Sequence, residues 1–529
     1  MGITMKTLPL GPFLGVNNRR PDFDLHVAKT GDFVRDAINV DLDNAGNFHR
    51  RKASELIAAQ VSPHSLHMTS DTVGYLVRGS AIYAITLPSY SETLFKVLAT
   101  NDPVSWLEWN GDLYYSNGTD SGRIRDSVWY PMALPTLPEP VPTPLPGGNL
   151  FAGKYQVAQS YTNATTGEEG GISASCNYDL ATAGGLRVTV PASVPGATHV
   201  NFYCSTVNGS IPLFCASIAI GSFPTYDIID PGAGREANQR YEAPLPSGWL
   251  FMHNGCLCSY SGSEVFEGLP FRPGYYLPSE GRIPFPATVT NCVPAQAGVY
   301  VVADKTYWIS GQRMTASEMV MDVLPYGGVP HTEFQSPDKS LYGWFSIHGF
   351  VLANPGGEVE AVMSDNIKLT PPVSGVSVVL ETEDYRRVVS CGWCLNLATK
   401  AATRYTDYDF TSISRGYATK LDGLYQLEGA GDVPWEIDFG KENFGTEQLK
   451  YMPAVYLGCT SERPLKLRIR TPKDDYTYTA RSCSDELQEH RVDSGKGIRA
   501  NWFHLSLEED CNFTLASESF APVASPRRI

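Results

Sequence analysis

Trp109-Asn-Gly-Asp-Leu-Tyr-Tyr115 and His253-Asn-Gly-Cys-Leu-Cys258 each set an Asn-Gly pair directly before a run of strand-forming residues. Asn-Gly is the strongest short hairpin signal, because both residues accept the positive φ that a two-residue turn between twisted strands demands. Looser versions recur: Val77-Arg-Gly-Ser-Ala-Ile-Tyr83, Ala297-Gly-Val-Tyr-Val-Val302, Ile347-His-Gly-Phe-Val-Leu352 and Leu421-Asp-Gly-Leu-Tyr425. Gly79, Gly111, Gly255, Gly298, Gly349 and Gly423 mark these units, with room for another near Gly392. Spacings near about 40–50 residues fit propeller blades of four short strands. The expected fold class is all-β, with a β-propeller-like main domain; an irregular set of β-sandwiches is the alternative.

The repeat breaks after Gly111. Pro135-Thr-Leu-Pro-Glu-Pro-Val-Pro-Thr-Pro-Leu-Pro146 reads as a stiff, extended linker. Alternating strands follow: Lys154-Tyr-Gln-Val-Ala-Gln-Ser-Tyr161, Leu186-Arg-Val-Thr-Val190, His199-Val-Asn-Phe-Tyr-Cys204 and Thr225-Tyr-Asp-Ile-Ile-Asp230. They describe a small immunoglobulin- or fibronectin-like sandwich inserted into the larger domain. Strict alternation returns in Leu465-Lys-Leu-Arg-Ile-Arg470, Asp475-Tyr-Thr-Tyr-Thr479 and Asn501-Trp-Phe-His-Leu-Ser-Leu507, as in strands with one wet face. The expected order is therefore residues 1–134, the first part of the propeller-like domain; 135–146, the linker; 147–240, the inserted sandwich; 241–431, the rest of the propeller-like domain; and 432–529, a C-terminal β-sandwich. The last ends in a short basic tail, Pro526-Arg-Arg-Ile529.

Composition agrees with a multidomain globular chain. Of 529 residues, 42% are hydrophobic and 18% charged, which is too apolar for a disordered protein. The net charge of −15 argues against a nucleic-acid clamp, which needs a basic footprint. Eleven cysteines, scattered from Cys176 to Cys511, are too sparse for a disulfide scaffold and read as reduced, mostly buried thiols. Met1–Gly15 lacks the apolar run of a signal peptide, and no apolar stretch is long enough to span a membrane. The sequons Asn117-Gly-Thr and Asn163-Ala-Thr carry no weight without secretion.

Motifs for catalysis fail on their chemistry. There is no nucleophile elbow, zinc-protease helix or Walker loop; Ser494-Gly-Lys-Gly497 has the wrong flanks, and Gly232-Ala-Gly-Arg-Glu-Ala237 lacks a βαβ setting and reads as a turn. Asp41-Leu-Asp-Asn-Ala-Gly46 resembles the start of a calcium loop, but Ala45 and Lys52 stand where ligands belong, so a hairpin explains it. Cys391-Gly-Trp-Cys394 has no second pair for zinc and no helix to activate a thiol, while Cys256 and Cys258 share one strand face. Glu168-Glu169, Asp407 with Asp409, and Asp474-Asp475 could serve a propeller glycosidase if paired at the right distance; solvated turns explain them as well. Arg19, Arg20, Arg50, Arg51 and Lys52 are the basic spots that could meet a partner subunit or passing DNA; an exposed hairpin rim is the plainer reading. No catalytic residue, metal or cofactor is expected.

Asn17-Asn-Arg-Arg20, Phe33-Val-Arg-Asp-Ala-Ile-Asn-Val-Asp-Leu-Asp-Asn-Ala-Gly46 and Arg50-Arg51 resemble the opening of tailed-bacteriophage virion proteins. The blade-like stretch is similar to the β-propeller tail-hub and nozzle proteins of short-tailed phages. Trp435-Glu-Ile-Asp-Phe-Gly-Lys-Glu-Asn-Phe-Gly445, Arg491-Val-Asp-Ser-Gly-Lys-Gly-Ile-Arg499 and the final Arg-Arg-Ile resemble the C-termini of phage tail proteins. The resemblance implies a non-enzymatic tail protein, at the hub, nozzle, tail tip or baseplate, located in the virion after synthesis in the host cytoplasm. It implies a homo-oligomeric ring that docks tube, adaptor or fibre proteins and lets DNA pass without specific binding. The rival is a host-receptor or glycan-binding tail protein, which expects exposed aromatics such as Tyr161, Phe202 or Tyr203 in the inserted sandwich. A propeller-type glycosidase is the third reading.

Overall fold

The computed structural model describes residues 8–26, 31–237, 239, 241–315, 319–370, 372–495 and 497–524. The chain is all-β: among these residues the sole helical element is a 3-10 turn at Asp22–Asp24. It divides into two compact units, one formed by the described residues up to Phe95 together with those from Leu324 onward, the other by Lys96–Val323.

The blade-like repeat is realised as four-stranded antiparallel sheets. In the second unit, Ser105–Trp109, Asp112–Ser116, Ser121–Arg125 and Val128–Tyr130 form one; a second runs from Trp249–His253 to Arg282–Pro284, and a third from Asn291–Ala295 to Val320–Leu324. The Asn-Gly turns behave as their chemistry requires. Asn110 and Gly111 adopt φ of 51° and 82°, and Asn254 and Gly255 adopt 45° and 79°, the twist-matched two-residue hairpin. In the first unit, similar sheets run from Pro63–Met68 to Ser91–Val97 and from Phe334–Gln335 to Val359–Ala361. A further one joins Ser412–Ser414, Tyr417–Lys420 and Gly423–Gly429 to Ala53–Ala59, a strand from far earlier in the chain. That pairing closes the C-terminal sheet with an N-terminal strand.

The inserted sandwich stands in the second unit as two sheets. Gly153–Asn163 lies at the centre of one, beside His199–Cys204 and Cys176–Leu180, and Thr143–Leu150, Gly184–Thr189 and Thr225–Ile228 form the other. Val157, Leu186, Val188, Val200 and Phe202 fill the space between them. The Pro-rich run is more than a linker. Leu134 and Leu137, at its start, are buried in the sandwich core, and its last residues form an edge strand in which Pro144 faces Leu186. A sheet edge is where a missing N–H is tolerated.

The C-terminal sandwich draws on more than residues 432–529. Leu8–Leu10 and Phe48–Arg50 both pair with Phe513–Phe520, and Asp36–Ile38 pairs with Trp435–Glu442. Leu8–Leu10, Asp36–Ile38 and Phe48–Arg50, placed by sequence in the propeller-like part, are thus strands of this sandwich, because their apolar side chains needed a second sheet to cover them. Asp36–Ile38 also joins Ala402–Arg404, so one nine-stranded sheet runs from Ser377–Glu381 through to Asp475–Thr479. Trp435 stacks on Phe513 at 3.8 Å between ring centroids, in a core shared with Phe13, Phe48, Phe439 and Leu507. The tail Pro526–Ile529 lies outside the described residues, as does Lys496.

Candidate functional site

Two segments singled out in the sequence, Phe33–Gly46 and Trp435–Gly445, meet in space. Asp36 is the register partner of Asp438, and Ile38 of Glu436, across the antiparallel pair Asp36–Ile38 and Trp435–Glu442. On Trp435–Glu442 the residues Trp435, Ile437 and Phe439 are buried, so Glu436 and Asp438 occupy the other face. Gly440 sits where the register shifts, with φ of 81°. A β-bulge is housed there, and its N–H donates to Asp438 Oδ1 at 2.8 Å.

This face is a network of opposed charges. Arg404 donates to Asp36 at 2.6 Å, and His504 Nε2 lies 2.6 Å from Asp438 Oδ1. Arg470 stands 3.7 Å from Asp438, while Arg468 forms a two-pronged bond with Asp475 at 2.9 and 2.7 Å. Burial pushes the Asp36 carboxyl above its ordinary range, a rise that Arg404 only partly offsets. Burial and then neighbouring Asp438 push Glu436 up as well. Among the described residues no group of three or more His, Cys, Asp or Glu side chains is placed to hold a metal ion. Apart from Asp475, the residues of this face were missed by sequence reading because they come from several strands far apart in the chain; the alternation in Trp435-Glu-Ile-Asp-Phe was the available signal.

A second network lies inside the first unit and centres on Asp41, from the same N-terminal motif. Tyr405 and Cys394 donate to Asp41 Oδ1, the thiol at 3.5 Å; Tyr385 donates to Oδ2 at 3.1 Å, and Arg387 Nε lies 3.1 Å from the same oxygen. Arg387 also donates to Glu428 at 2.5 Å. Desolvation, then the Asp41 charge, drives the Tyr405 hydroxyl and the Cys394 thiol well above their ordinary ranges, so both remain protonated donors.

The basic spots part company here. Arg51 is buried at 3% exposure, donates to Asn39 Oδ1 and Thr406 O at 2.9 Å each, and lies over the rings of Tyr405 and Tyr408. Arg50 donates to Asp432 and to the Asp510 carbonyl, both at 2.6 Å. These two side chains are internal ties rather than a partner-facing patch, since acceptors within the chain claim their protons. Arg19, Arg20 and Lys52 are exposed. Arg19 reaches the Ile367 carbonyl at 3.1 Å, Arg20 lies 5.1 Å over Phe33, and Lys52 stands 3.7 Å from Glu428.

In each of the carboxylate pairs a basic side chain engages at least one member. Glu169 receives Ser160 Oγ at 2.5 Å, Asn201 Nδ2 at 2.9 Å, Tyr203 and Arg235; burial opposes ionisation, but these donors hold its carboxyl below the ordinary range. Glu168 is paired with Arg123 at 2.5 Å. Hydrogen bonds from Lys420 and from Arg468 hold Asp409 and Asp475 low. A glycosidase acid needs the reverse shift. Asp43 accepts from Ala45 N and Asn47 N at 2.8 Å each, which makes the calcium-like stretch a hairpin turn. Cys391 occupies a turn with φ of 53° while Cys394 is buried on the next strand, so this pair spans a hairpin. Tyr161, Phe202 and Tyr203 are 5%, 0% and 0% exposed and offer no platform to a receptor. A cleft of about 550 Å³ in the first unit is lined by Glu381, Glu383, Asp384, Tyr385 and Arg386. No helix of the described residues is long and apolar enough to cross a membrane.

No family model matches the chain, and no curated protein matches it. Among solved structures it is similar to the extracellular domain of a one-component system from B. thetaiotaomicron, at 10% identity and a TM-score of 0.20 over 89% of this chain. It spans 58% of that domain's length. It is also similar to an exo-β-1,3-galactanase from Phanerochaete chrysosporium, at 9% identity and a TM-score of 0.16, over 79% of this chain and 95% of that one.

Proposed function

We propose that this chain is a structural protein of a tailed-bacteriophage virion, a tail component of the hub, nozzle or tail-tip class that works by assembly and not by catalysis. The observation that carries the reading is the character of the end strands. Ser91–Val97 and Val320–Leu324 each lie at the end of a four-stranded sheet. Leu94 and Val97 are 55% and 64% exposed on the first, and Val320 and Val323 are 60% exposed on the second. An end strand offers a row of backbone groups for pairing, and exposed alkyl side chains on it mark a surface that gains by being covered. Copies of the chain arranged head to tail in a closed ring would cover such edges.

The strand pairing of the two resemblance-bearing motifs supports an architectural role: Phe33–Gly46 and Trp435–Gly445 act as one framework. The basic partners that engage Glu169, Asp409 and Asp475 support a structural use of these carboxyls. The net charge of −15 suits a conduit that DNA passes without gripping. The partners would be further copies of the chain and tube, adaptor or fibre proteins, and the place of work the virion.

Immunogold labelling of purified particles with an antibody against this chain tests the proposal, alongside peptide mass spectrometry of the same particles. Gold on the tail axis is the expected result. Gold confined to lateral fibres would favour receptor binding. Absence from both gold and peptides would overturn the structural reading.

A further inference from the structure

Two cysteines of unequal accessibility sit side by side in the inserted sandwich. His199–Cys204 and Leu213–Ala219 run antiparallel, with Cys204 opposite Leu213 and Tyr203 opposite Phe214. The register then shifts and Phe202 faces Ala216, so Cys215 is the extra residue of a β-bulge. Tyr203 and Phe214 pack on one side of the sheet, while Cys215 turns to the other and packs against the core that holds Cys204. The two thiols meet there, with Cys204 donating to Cys215 Sγ. Leu213–Ala219 is the end strand of its sheet, which leaves Cys215 half-buried; Cys204, one strand further in, is fully buried. The shared hydrogen bond pulls the Cys215 thiol below its ordinary range and, together with burial, pushes Cys204 above it. A reachable thiol with thiolate character beside a second, enclosed thiol is the arrangement in which an oxidised cysteine is resolved internally. Cys459 and Cys511 also lie near one another, but both are buried and closed to an oxidant.

We propose that Cys204 and Cys215 are a modification site, a redox-controlled crosslink made by thiol–disulfide exchange with a small-molecule disulfide such as glutathione disulfide. The Cys215 thiolate attacks one sulfur of the small disulfide; a mixed disulfide forms and the first small thiol leaves. Cys204 then attacks the Cys215 sulfur and expels the second small thiol. Two protein thiols are oxidised, one small disulfide is reduced, and the two protons end on the released thiols. The sulfurs close from contact to about 2.0 Å. The crosslink pins the end strand at its bulge, where the shifted register interrupts the ladder, and closes the connection between the two strands into a covalent loop. Each state has its setting, the thiols in a reducing cytosol and the crosslink in an oxidising medium.

The test uses the full-length chain, incubated folded with glutathione disulfide, then denatured in an alkylating agent and mapped by peptide mass spectrometry. The native chain is expected to yield a linked Cys204–Cys215 peptide that dithiothreitol reverses, and its Tm is expected to rise on oxidation. Cys204→Ala should stop at glutathione on Cys215, and Cys215→Ala should leave Cys204 unmodified. Exposed Cys483 reports simple surface glutathionylation in all three chains. Alkylated Cys204 and Cys215 in the native chain, beside a glutathionylated Cys483, would overturn the proposal. Glutathione retained on Cys215 of the native chain without a linked peptide would overturn it as well, because Cys204 would then fail to resolve the adduct. A linked peptide with an unchanged Tm would overturn the pinning of the end strand. The native-chain result stands whether or not either variant folds.

Discussion

Asp36 and Asp438 stand directly opposite one another on adjacent antiparallel strands, so two carboxyl groups share one site on the nine-stranded sheet. Like charges in that position destabilise a sheet unless others intervene. Arg404 at 2.6 Å from Asp36, and His504 at 2.6 Å from Asp438, are the intervening groups.

The Asp36 carboxyl is raised above its ordinary 3.8 by burial. Its stabilising contribution is therefore complete below that value and fades as pH rises through the folded-state pKa. Asp36→Asn keeps an acceptor for Arg404 and removes the charge. The substitution is expected to raise Tm at neutral pH and to leave it unchanged near pH 3. Tm measured against pH for both chains checks this; a lower Tm for the variant at neutral pH would count against it.

Glu518 presents a stronger case. It is 1% exposed on the core face of Phe513–Phe520, both carboxyl oxygens lack a partner among the described residues, and burial lifts its pKa well above 4.5. Because burial raises the folded-state pKa, stability falls as pH climbs from 4.5 toward that raised value. Glu518→Leu is expected to stabilise by about 1–3 kcal/mol, the penalty of an unpaired buried polar group, with the gain largest in alkaline buffer. Urea unfolding at two pH values reads both effects.

Glu169 titrates in the opposite sense. Its carboxyl is held below the ordinary 4.5 by four donors, so its contribution is present above that value and is lost as pH falls through the folded-state pKa. Glu169→Gln should weaken the inserted sandwich at neutral pH by about 1–3 kcal/mol and flatten its acid transition. Circular dichroism across an acid titration distinguishes the two chains.

Arg387 and Asp41 are each buried and each the other's partner at 3.1 Å. Removing one side alone, by Arg387→Met or Asp41→Asn, is expected to cost about 3–5 kcal/mol, because the other side is left without its partner in a dry interior. The double variant should lose less than the two single losses combined. A denaturant double-mutant cycle measures the coupling; strict additivity would show that the pair acts independently.

Much of the fold is legible in the chain's own local chemistry. Asn110-Gly111 and Asn254-Gly255 read as hairpins because their preferred backbone angles match the turn, and Leu467, Ile469, Leu505 and Leu507 read as one face of strands because side chains alternate every residue. The Pro-rich run was harder. Its composition gives an extended backbone, but only packing against Leu186 and the sandwich core turns its end into a strand.

The sequence by itself therefore determined the all-β class, the turn positions and the inserted block, since these follow from the φ and alternation preferences of neighbouring residues. Tertiary structure alone decided that Ala53–Ala59 completes the sheet of Ser412–Gly429, and that Leu8–Leu10, Asp36–Ile38 and Phe48–Arg50 belong with the C-terminal sandwich. It also decided that Arg51 is an internal tie while Arg19 stays exposed, though both begin as arginines beside turns. The reason is physical: hydrogen-bond pairing between distant strands and the desolvation of a charge depend on which segments cover one another, and no short stretch of sequence carries that information.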